Sequence, residues 1–353
     1  MLLWACNQPL LDKYHIKERK VLMITRTFNS NGAKVLFAAV SCLLILSACG
    51  SNSSAGAAKK AGGTVGFVLH SGTDPNQVGY AKGVEAALAK SDYTVKVVDS
   101  NTSAESAVTL IKQLVGERVK AIVVGVYDPV ALQAGLSAAK AANIPVYGWL
   151  IYGKPAGFAG VSSQTGATEQ TNRMVKDLGG NGSVLAFTFH PGQPCVIAEG
   201  VFDSIMGPLT DVKVKKVEVP APAWAQAGDR ATSAWLLSHP EGSGPLAIWG
   251  CWDGPNIGAI AALRRAGRTD VKVYGDNGQA DAIALIRDKL YTATYYFDPA
   301  AGGKDLAGLI LKNAGKSVSD IVPVYIQDKP IEVDQANVLE FVQSHPGAIT
   351  PSS

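Results

Sequence analysis

From residue 64 onward the sequence alternates short apolar runs with longer amphipathic segments, and this alternation occurs in two successive series. The first run is TVGFVL (64–69), and the segment after it repeats apolar residues with helical spacing at Val78, Ala81, Val84 and Leu88. Continuous apolar runs predict strands buried on both faces, and their alternation with helices predicts parallel sheets. We therefore predict an α/β fold of two doubly wound, Rossmann-like lobes.

The predicted elements place one shared cleft in the fold. Strands are predicted at 64–69, 95–98, 121–124, 144–147, 184–189, 212–219, 246–249, 271–274 and 290–296. Helices are predicted at 104–115, 129–142, 193–205, 224–237, 256–266 and 279–287, besides the one that carries Val78–Leu88. The carboxyl ends of parallel strands carry variable loops and face helix N-termini, so we expect the functional residues in a cleft between the two lobes.

The first 50 residues have the pattern of a bacterial lipoprotein leader. Arg26 and Lys34 precede an apolar run, 35–46, that is short for a membrane span, and the small residues of LSACG (46–50) surround Cys49. This lipobox implies cleavage before Cys49 and a diacylglycerol on its thiol, so residues 1–48 are the predicted signal peptide, with Met23 as an alternative start. Residues 49–62 are small and polar, which predicts a lipidated flexible tether.

Charge and cysteine content narrow the function further. The whole chain carries 32 basic against 29 acidic residues, but without residues 1–48 the balance is 26 against 27. Such a chain has no basic excess for nucleic acid. Of five cysteines, only Cys195 and Cys251 remain in the predicted mature chain beyond the lipidated one. In an oxidising compartment they form a disulfide or stay as free buried thiols, and the sequence leaves both open.

Three segments carry a family resemblance: 64–88, 119–149 and 251–278, the last beginning CWDGPNIGAIAALRRAG. They resemble the type I periplasmic sugar-binding proteins of ABC importers, the ribose-binding group in particular. The resemblance implies two lobes joined by three crossings, near Val161, Phe297–Asp298 and Gln327. The implied lobes are 63–161 with 298–326, and 162–297 with 327–353.

The resemblance also implies a ligand site, which this chain fills with unusual residues. After the first strand it has Asp74, Asn76 and Gln77 where the family has an Asn and stacking aromatics. Trp149 stands where an Asp-Arg pair is typical, and Cys195 occupies the position of a second arginine. The remaining implied ligand-binding residues are Trp224, Trp252, Asp253, Asp276 and Phe297.

The chemistry of this set favours a hydroxylated ligand. Carboxylate and amide groups pair with hydroxyls, and aromatic rings pack on the C–H face of a sugar or polyol. The missing arginines remove forked donors, so the remaining groups are mostly acceptors. That balance suits a donor-rich polyol or a partly cationic ligand.

Several of these residues have structural interpretations as well. Asp128, Asp253 and Asp298 each follow a strand and open a helix, where an aspartate serves as an N-cap. Capping is favoured for Asp128 and Asp298, whereas for Asp253 capping and ligand contact are both open. Trp235 lies in mid-helix and is predicted to be core.

We accordingly expect an extracytoplasmic, lipid-anchored, monomeric solute-binding protein. It would capture a monosaccharide or polyol in the cleft and deliver it to an ABC permease and its ATPase. An alternative is a ligand-sensing receptor of the same fold that presents a non-sugar molecule to a membrane signalling partner. No dinucleotide or P-loop fingerprint is present, so no cofactor is expected. Catalysis or metal binding by His70, His190 or Cys195 is disfavoured because no third partner is placed by spacing.

Overall fold

The computed structural model describes residues 62–150, 159–162, 165–327 and 329–349. They belong to one compact unit, Ala58–Ser353. The predicted signal peptide, Cys49 and the tether up to residue 61 lie outside the described residues.

Twelve strands and ten helices follow one another in the described part of the chain. The strands are β1 Gly63–Leu69, β2 Tyr93–Asp99, β3 Ala121–Gly125, β4 Val146–Trp149, β5 Ala159–Ser162, β6 Gly182–Thr188, β7 Val212–Glu218, β8 Leu246–Gly250, β9 Val271–Tyr274, β10 Ala293–Tyr296, β11 Val324–Gln327 and β12 Ile331–Asp334. The helices are α1 Pro75–Leu88, α2 Ala104–Gly116, α3 Gln133–Ala141, α4 Thr165–Leu178, α5 Gln193–Met206, α6 Trp224–Leu236, α7 Asp253–Arg265, α8 Ala280–Arg287, α9 Pro299–Lys312 and α10 Val338–Ser344.

These strands form two six-stranded sheets. The first sheet has the order β11-β5-β4-β3-β1-β2 and all its pairs are parallel. The second has the order β12-β10-β9-β8-β6-β7 and is parallel except for β12, which runs antiparallel to β10. Every residue of β3 and β8 is buried, as expected for strands covered by helices on both faces. The predicted doubly wound α/β architecture is confirmed.

The chain passes between the two sheets three times. It leaves the first sheet after β5, returns after β10, and crosses again between β11 and β12. Helix α9 follows a strand of the second sheet but packs on α1, beside the first. A Cβ on Gly83 or Gly303 would lie 2.5 or 2.3 Å from a backbone oxygen of the other helix, so the two backbones are in close contact.

Helices α4 and α10 and strands β5, β11 and β12 were not predicted from the sequence, and some boundaries were misplaced. Helix α4 (TGATEQTNRMVKDL) is polar, and one of its buried contacts is an amide: Gln170 Nε2 donates to the carbonyls of Gly250 and Tyr274, at 2.8 and 3.0 Å. The helix has few apolar residues, and polar side chains such as Gln170 complete its buried face, so a search for apolar residues alone overlooks it. Helix α3 begins at Gln133 rather than 129, and α7 begins at Asp253 rather than 256.

Two structural interpretations are confirmed. Trp235 is 1% exposed in the core of the second sheet. Asp298 caps α9, because its Oδ1 accepts hydrogen bonds from the N–H groups of Ala300 and Ala301. Asp128 accepts from the N–H of Val130 at 2.8 Å and closes a turn ahead of α3 instead of capping it. None of the helices in the described ranges has the length and apolar character of a membrane span.

Candidate functional site

One cavity lies between the carboxyl ends of the two sheets. Seven strands each contribute a residue one or two positions beyond their end: His70, Val126, Leu150, Phe189, Cys251, Asp276 and Phe297 line the cavity after β1, β3, β4, β6, β8, β9 and β10. The volume of the cavity, taken as the space that the centre of a water molecule can occupy, is about 70 Å³. One water needs roughly 10–15 Å³ on this measure, so the cavity has room for about five waters, or for a small solute.

Eight of the ten residues predicted to bind ligand lie in the cavity wall. They are Asp74, Asn76, Gln77, Cys195, Trp224, Trp252, Asp276 and Phe297. The two others, Trp149 and Asp253, are placed elsewhere, each for an identifiable reason.

Trp149 belongs to the core of the first sheet. It ends β4 with no exposed surface and packs on Tyr80 and Phe67, with ring centroids 5.1 and 6.0 Å apart. The next residue, Leu150, lines the cavity instead, and its backbone adopts a left-handed φ of 46°. Placing Trp149 in the site was therefore wrong by one residue at the strand end.

Asp253 is fully buried on the side of the second sheet and is not among the residues that line the cavity. Its carboxylate accepts hydrogen bonds from Gln279 N–H, Tyr291 Oη and Thr294 Oγ1, at 2.8, 2.7 and 2.9 Å. Burial raises its pKa to about 7, although these hydrogen bonds oppose the shift. The N-cap interpretation is also wrong, because none of these donors belongs to the first turn of α7. By holding Gln279, Asp253 fixes the loop that carries Asp276 and Asn277.

The loop after β1 forms the polar wall of the cavity. Asp74 caps α1 and accepts from the N–H groups of Asn76 and Gln77, at 2.9 and 3.2 Å. Gln77 Oε1 accepts from the N–H of Ser71 at 2.8 Å, so its amide holds the loop in place. Asp74 is 7% exposed, and burial raises its pKa to about 6. A site carboxyl thus also serves as a cap.

Three polar atoms of the wall are buried and have no hydrogen-bond partner among the described residues: His70 Nε2, Asn76 Oδ1 and Asp276 Oδ1. His70 and Asn76 are 3% and 7% exposed. Burial lowers the pKa of His70 to about 4, so its imidazole is neutral at pH 7. Burial also raises the pKa of Asp276 well above its usual value, with the charge of Asp253 adding to the effect. Buried polar groups normally have partners, so these atoms are suited to bind groups of a ligand.

Aromatic rings and a disulfide form the apolar part of the cavity wall, on the side of the second sheet. The ring centroid of Trp252 lies 5.6 Å from that of Phe189 and 6.0 Å from that of Trp224, which it meets edge-on. Cys195 and Cys251 are paired with their Cα atoms 5.2 Å apart, which decides between the two states that the sequence left open. The bridge links the first turn of α5 to the short connection between β8 and α7, which also contains Trp252.

Loops from the two sheets touch across the cavity. The N–H of Gln193 donates to Val126 O at 2.7 Å, and Asn76 Nδ2 donates to Asn277 O at 3.1 Å. The rings of His70 and Phe189 meet edge-on at 5.7 Å. Val126 and Asn277 also have left-handed backbones, with φ of 70° and 92°. For the β-branched Val126 this conformation is strained, which is common where a fold positions a binding site.

Sequence reasoning overlooked Phe189 and considered His70 only for catalysis or metal binding. Both immediately follow a strand of a parallel sheet, and that position was the available signal. The pairing of His70 with His190 is not supported, because His190 is exposed and contacts Glu199 and Glu218 at 2.8 and 2.6 Å. In the described part of the chain, no group of three or more His, Cys, Asp or Glu side chains is arranged to hold a metal ion.

Two mostly parallel sheets with a small cavity between their carboxyl ends, lined by aromatic rings and by unpartnered polar atoms, define a two-lobed solute-binding protein. The chain belongs to the periplasmic binding protein family, since the model of a periplasmic binding protein domain matches residues 65–317. The resemblance to type I periplasmic sugar-binding proteins is thereby confirmed.

Individual relatives are distant in sequence and similar in fold. The ribose import binding protein of Bacillus subtilis (strain 168) is 23% identical over 245 residues, which cover 68% of this chain and 78% of that protein. A solute-binding protein from Agrobacterium vitis with bound allitol has a TM-score of 0.72 at 23% identity, covering 81% of this chain and 99% of that one. One from Bacillus halodurans C-125 with bound myo-inositol has a TM-score of 0.68 at 18% identity, covering 79% and 96%.

Proposed function

We propose that the protein captures a small hydroxylated ligand, a monosaccharide or polyol, and delivers it to an ABC import permease. The observation that carries this proposal is the set of unpartnered atoms at His70, Asn76 and Asp276, in residues that line a cavity of small-solute size together with several aromatic rings. Hydroxyl groups of a ligand would pair with these atoms, and its C–H face would pack on the rings. The allitol and myo-inositol bound by structural relatives belong to this chemical class.

Capture would act through closure of two lobes rather than through a reaction. The lobes we propose are 63–161 with 298–326, and 162–297 with 327–353, hinged at the three crossings. Closure supplies both walls of the cavity at once, so a ligand that contacts both favours the closed state. In this proposal no bond of the ligand is made or broken.

The same proposal places the protein outside the cytoplasm as a monomer on a lipid anchor at Cys49. The tether ahead of β1 would let the folded part reach a permease in the same membrane. Partition of the parent into a detergent phase, lost in Cys49→Ser, is the expected result. A parent that stays in the aqueous phase when expressed in a bacterium that processes lipoproteins would remove the anchor from the proposal.

Ligand capture is tested by thermal unfolding against allitol, myo-inositol, ribose, glycerol and sorbitol. A ligand that binds only the folded state stabilises it by about 2.7 kcal/mol at a hundredfold excess over its Kd. At least one member of the panel should raise the unfolding temperature, and X-ray scattering should show a smaller radius of gyration with that ligand. If no hydroxylated compound shifts unfolding, the proposed ligand class is wrong. If one shifts it without compaction, the hinge is wrong.

A further inference from the structure

The ligand cavity contains two carboxyl groups, no lysine or arginine among its described lining residues, and one imidazole, His70, which is neutral at pH 7 because burial lowers its pKa to about 4. The carboxyl groups belong to Asp74 and Asp276. The charged groups that act on Asp276 are Asp253 and Glu169, which are themselves acidic. A buried carboxyl tends to keep its proton unless a counter-charge is present, and here the cavity wall provides none, so a bound cation is the group that would stabilise the ionised form.

Two polar atoms of the cavity wall also lack hydrogen-bond donors in the described part of the chain. Asn76 Nδ2 already donates to Asn277 O, and the Oδ1 of the same amide is buried without a partner among the described residues. Asp276 Oδ1 is likewise an acceptor without a donor among the described residues. Both atoms need N–H or O–H donors, and the ligand is the group that can bring them.

The apolar wall is also suited to a positive charge. Trp224 and Trp252 meet edge-on, Phe189 lies beside Trp252, and Phe297 completes the aromatic surface. The negative face of an aromatic ring attracts an ammonium group within about 6 Å of its centroid, and Trp does so best. The carboxyls and the tryptophans that line the cavity are therefore two independent features that favour the same charge.

We propose that the ligand is a polyhydroxylated amine, an amino sugar or amino polyol, whose ammonium group is bound between Asp276 and the tryptophans. The inference rests on the proposed function and narrows its substrate class. The hydroxyls of the ligand supply donors to Asn76, and the ammonium provides the charge that the wall lacks. Anionic solutes such as sugar phosphates and sugar acids are excluded by the two carboxyls.

The test compares matched ligands that differ in one amine. Titration calorimetry in phosphate buffer, which itself contains no amine, would measure sorbitol against 1-amino-1-deoxysorbitol and galactose against galactosamine. Tris, a small polyhydroxylated amine, is a third probe. We expect the amine of at least one pair to bind about tenfold more tightly or better, which corresponds to about 1.4 kcal/mol.

The variant Asp276→Asn distinguishes charge from shape, since the amide keeps the size of the carboxyl. It should lower the ratio of amine to neutral affinity toward one. Asp211→Asn is the matched control: Asp211 is exposed and precedes the amino end of β7, away from the cavity, so the ratio should stay at the parental value. Neutral polyols that bind as tightly as their amines, or a ratio that Asp276→Asn leaves unchanged, would overturn the inference while the proposed function stands. If no member of either series binds, the proposed function fails as well.

Discussion

Removal of the Cys195–Cys251 bridge should cost the protein a defined part of its stability. The two cysteines are 56 positions apart, and a cross-link over a loop of that length lowers the entropy of the unfolded chain. The chain-entropy relation gives a loss of about 4 kcal/mol near room temperature when the bridge is removed. Both cysteines lie in the second-sheet side of the fold, so only unfolding that includes that side should be affected.

Urea unfolding of the parent and of the double variant Cys195→Ala/Cys251→Ala, each with and without dithiothreitol, isolates the cross-link. Without reductant the parent should be more stable by about 4 kcal/mol. With reductant most of that difference should disappear, because the parent then loses its bridge too. The residual difference measures the replaced side chains, which are each 6% exposed in the core and leave small cavities behind.

Two results would refute the reasoning. A difference that stays the same in reductant would mean that the stabilisation comes from packing of the side chains and not from the cross-link. Free thiols at Cys195 and Cys251 in the oxidised, folded parent, located by alkylation and peptide mass, would mean that the bridge itself is wrong. Ligand affinity provides a second measurement: the bridge holds the loop of Trp252, so the variant should bind any ligand of the parent more weakly.

Three further outcomes are expected. The unfolding temperature should fall as the pH rises from about 4 to about 7, because burial raises the pKa of Asp74 to about 6 and that of Asp253 to about 7, so the folded state keeps protons that the unfolded state has released. His70, whose pKa burial lowers to about 4, acts in the opposite direction over this range, but it is one group against two carboxyls. A stability that rises over this range contradicts the assignment of raised pKa values to the two carboxyls. Trp224→Ala should weaken ligand binding by about tenfold, since it removes one ring of the apolar wall, whereas Leu237→Ala, 88% exposed at the end of α6, should leave affinity at the parental value. Asp298→Ala should destabilise the fold by about 1 kcal/mol through loss of the α9 cap. The control in circular dichroism melts is Asp320→Ala, which changes an exposed aspartate in a 3₁₀ turn. Equal melting temperatures of the two variants would mean that the cap contributes nothing.

The fold was largely predictable because its determinants are local. Buried strands such as β1 and β3 are continuous apolar runs, and the helices between them repeat apolar residues with helical spacing. Helix α4 escaped because its buried face includes polar side chains such as Gln170, whose partners lie 80 and 104 positions further along the chain. A pattern of apolar residues contains no information about such partners.

The site was predictable to the level of strand ends but not of side-chain direction. Asp276 and Trp252 follow strands of a parallel sheet and do reach the cavity. Trp149 and Asp253 have equally suitable positions, yet both are directed into the protein. Asp253 is held there by Tyr291 and Thr294, 38 and 41 positions away, and no local signal announces those contacts.

The atoms that would bind the ligand also oppose closure without it. With the two sides in contact, His70 Nε2, Asn76 Oδ1 and Asp276 Oδ1 are buried without partners among the described residues, at a cost of about 1–3 kcal/mol each. The two hydrogen bonds across the cavity, from Gln193 to Val126 and from Asn76 to Asn277, return only about 0.5–1.5 kcal/mol each. Opening would let water reach the three atoms. The balance of these free energies therefore favours an open cleft until a ligand supplies hydrogen-bond partners. The atoms that set affinity would therefore also control closure, and a solute that leaves them unpaired would bind without closing the lobes.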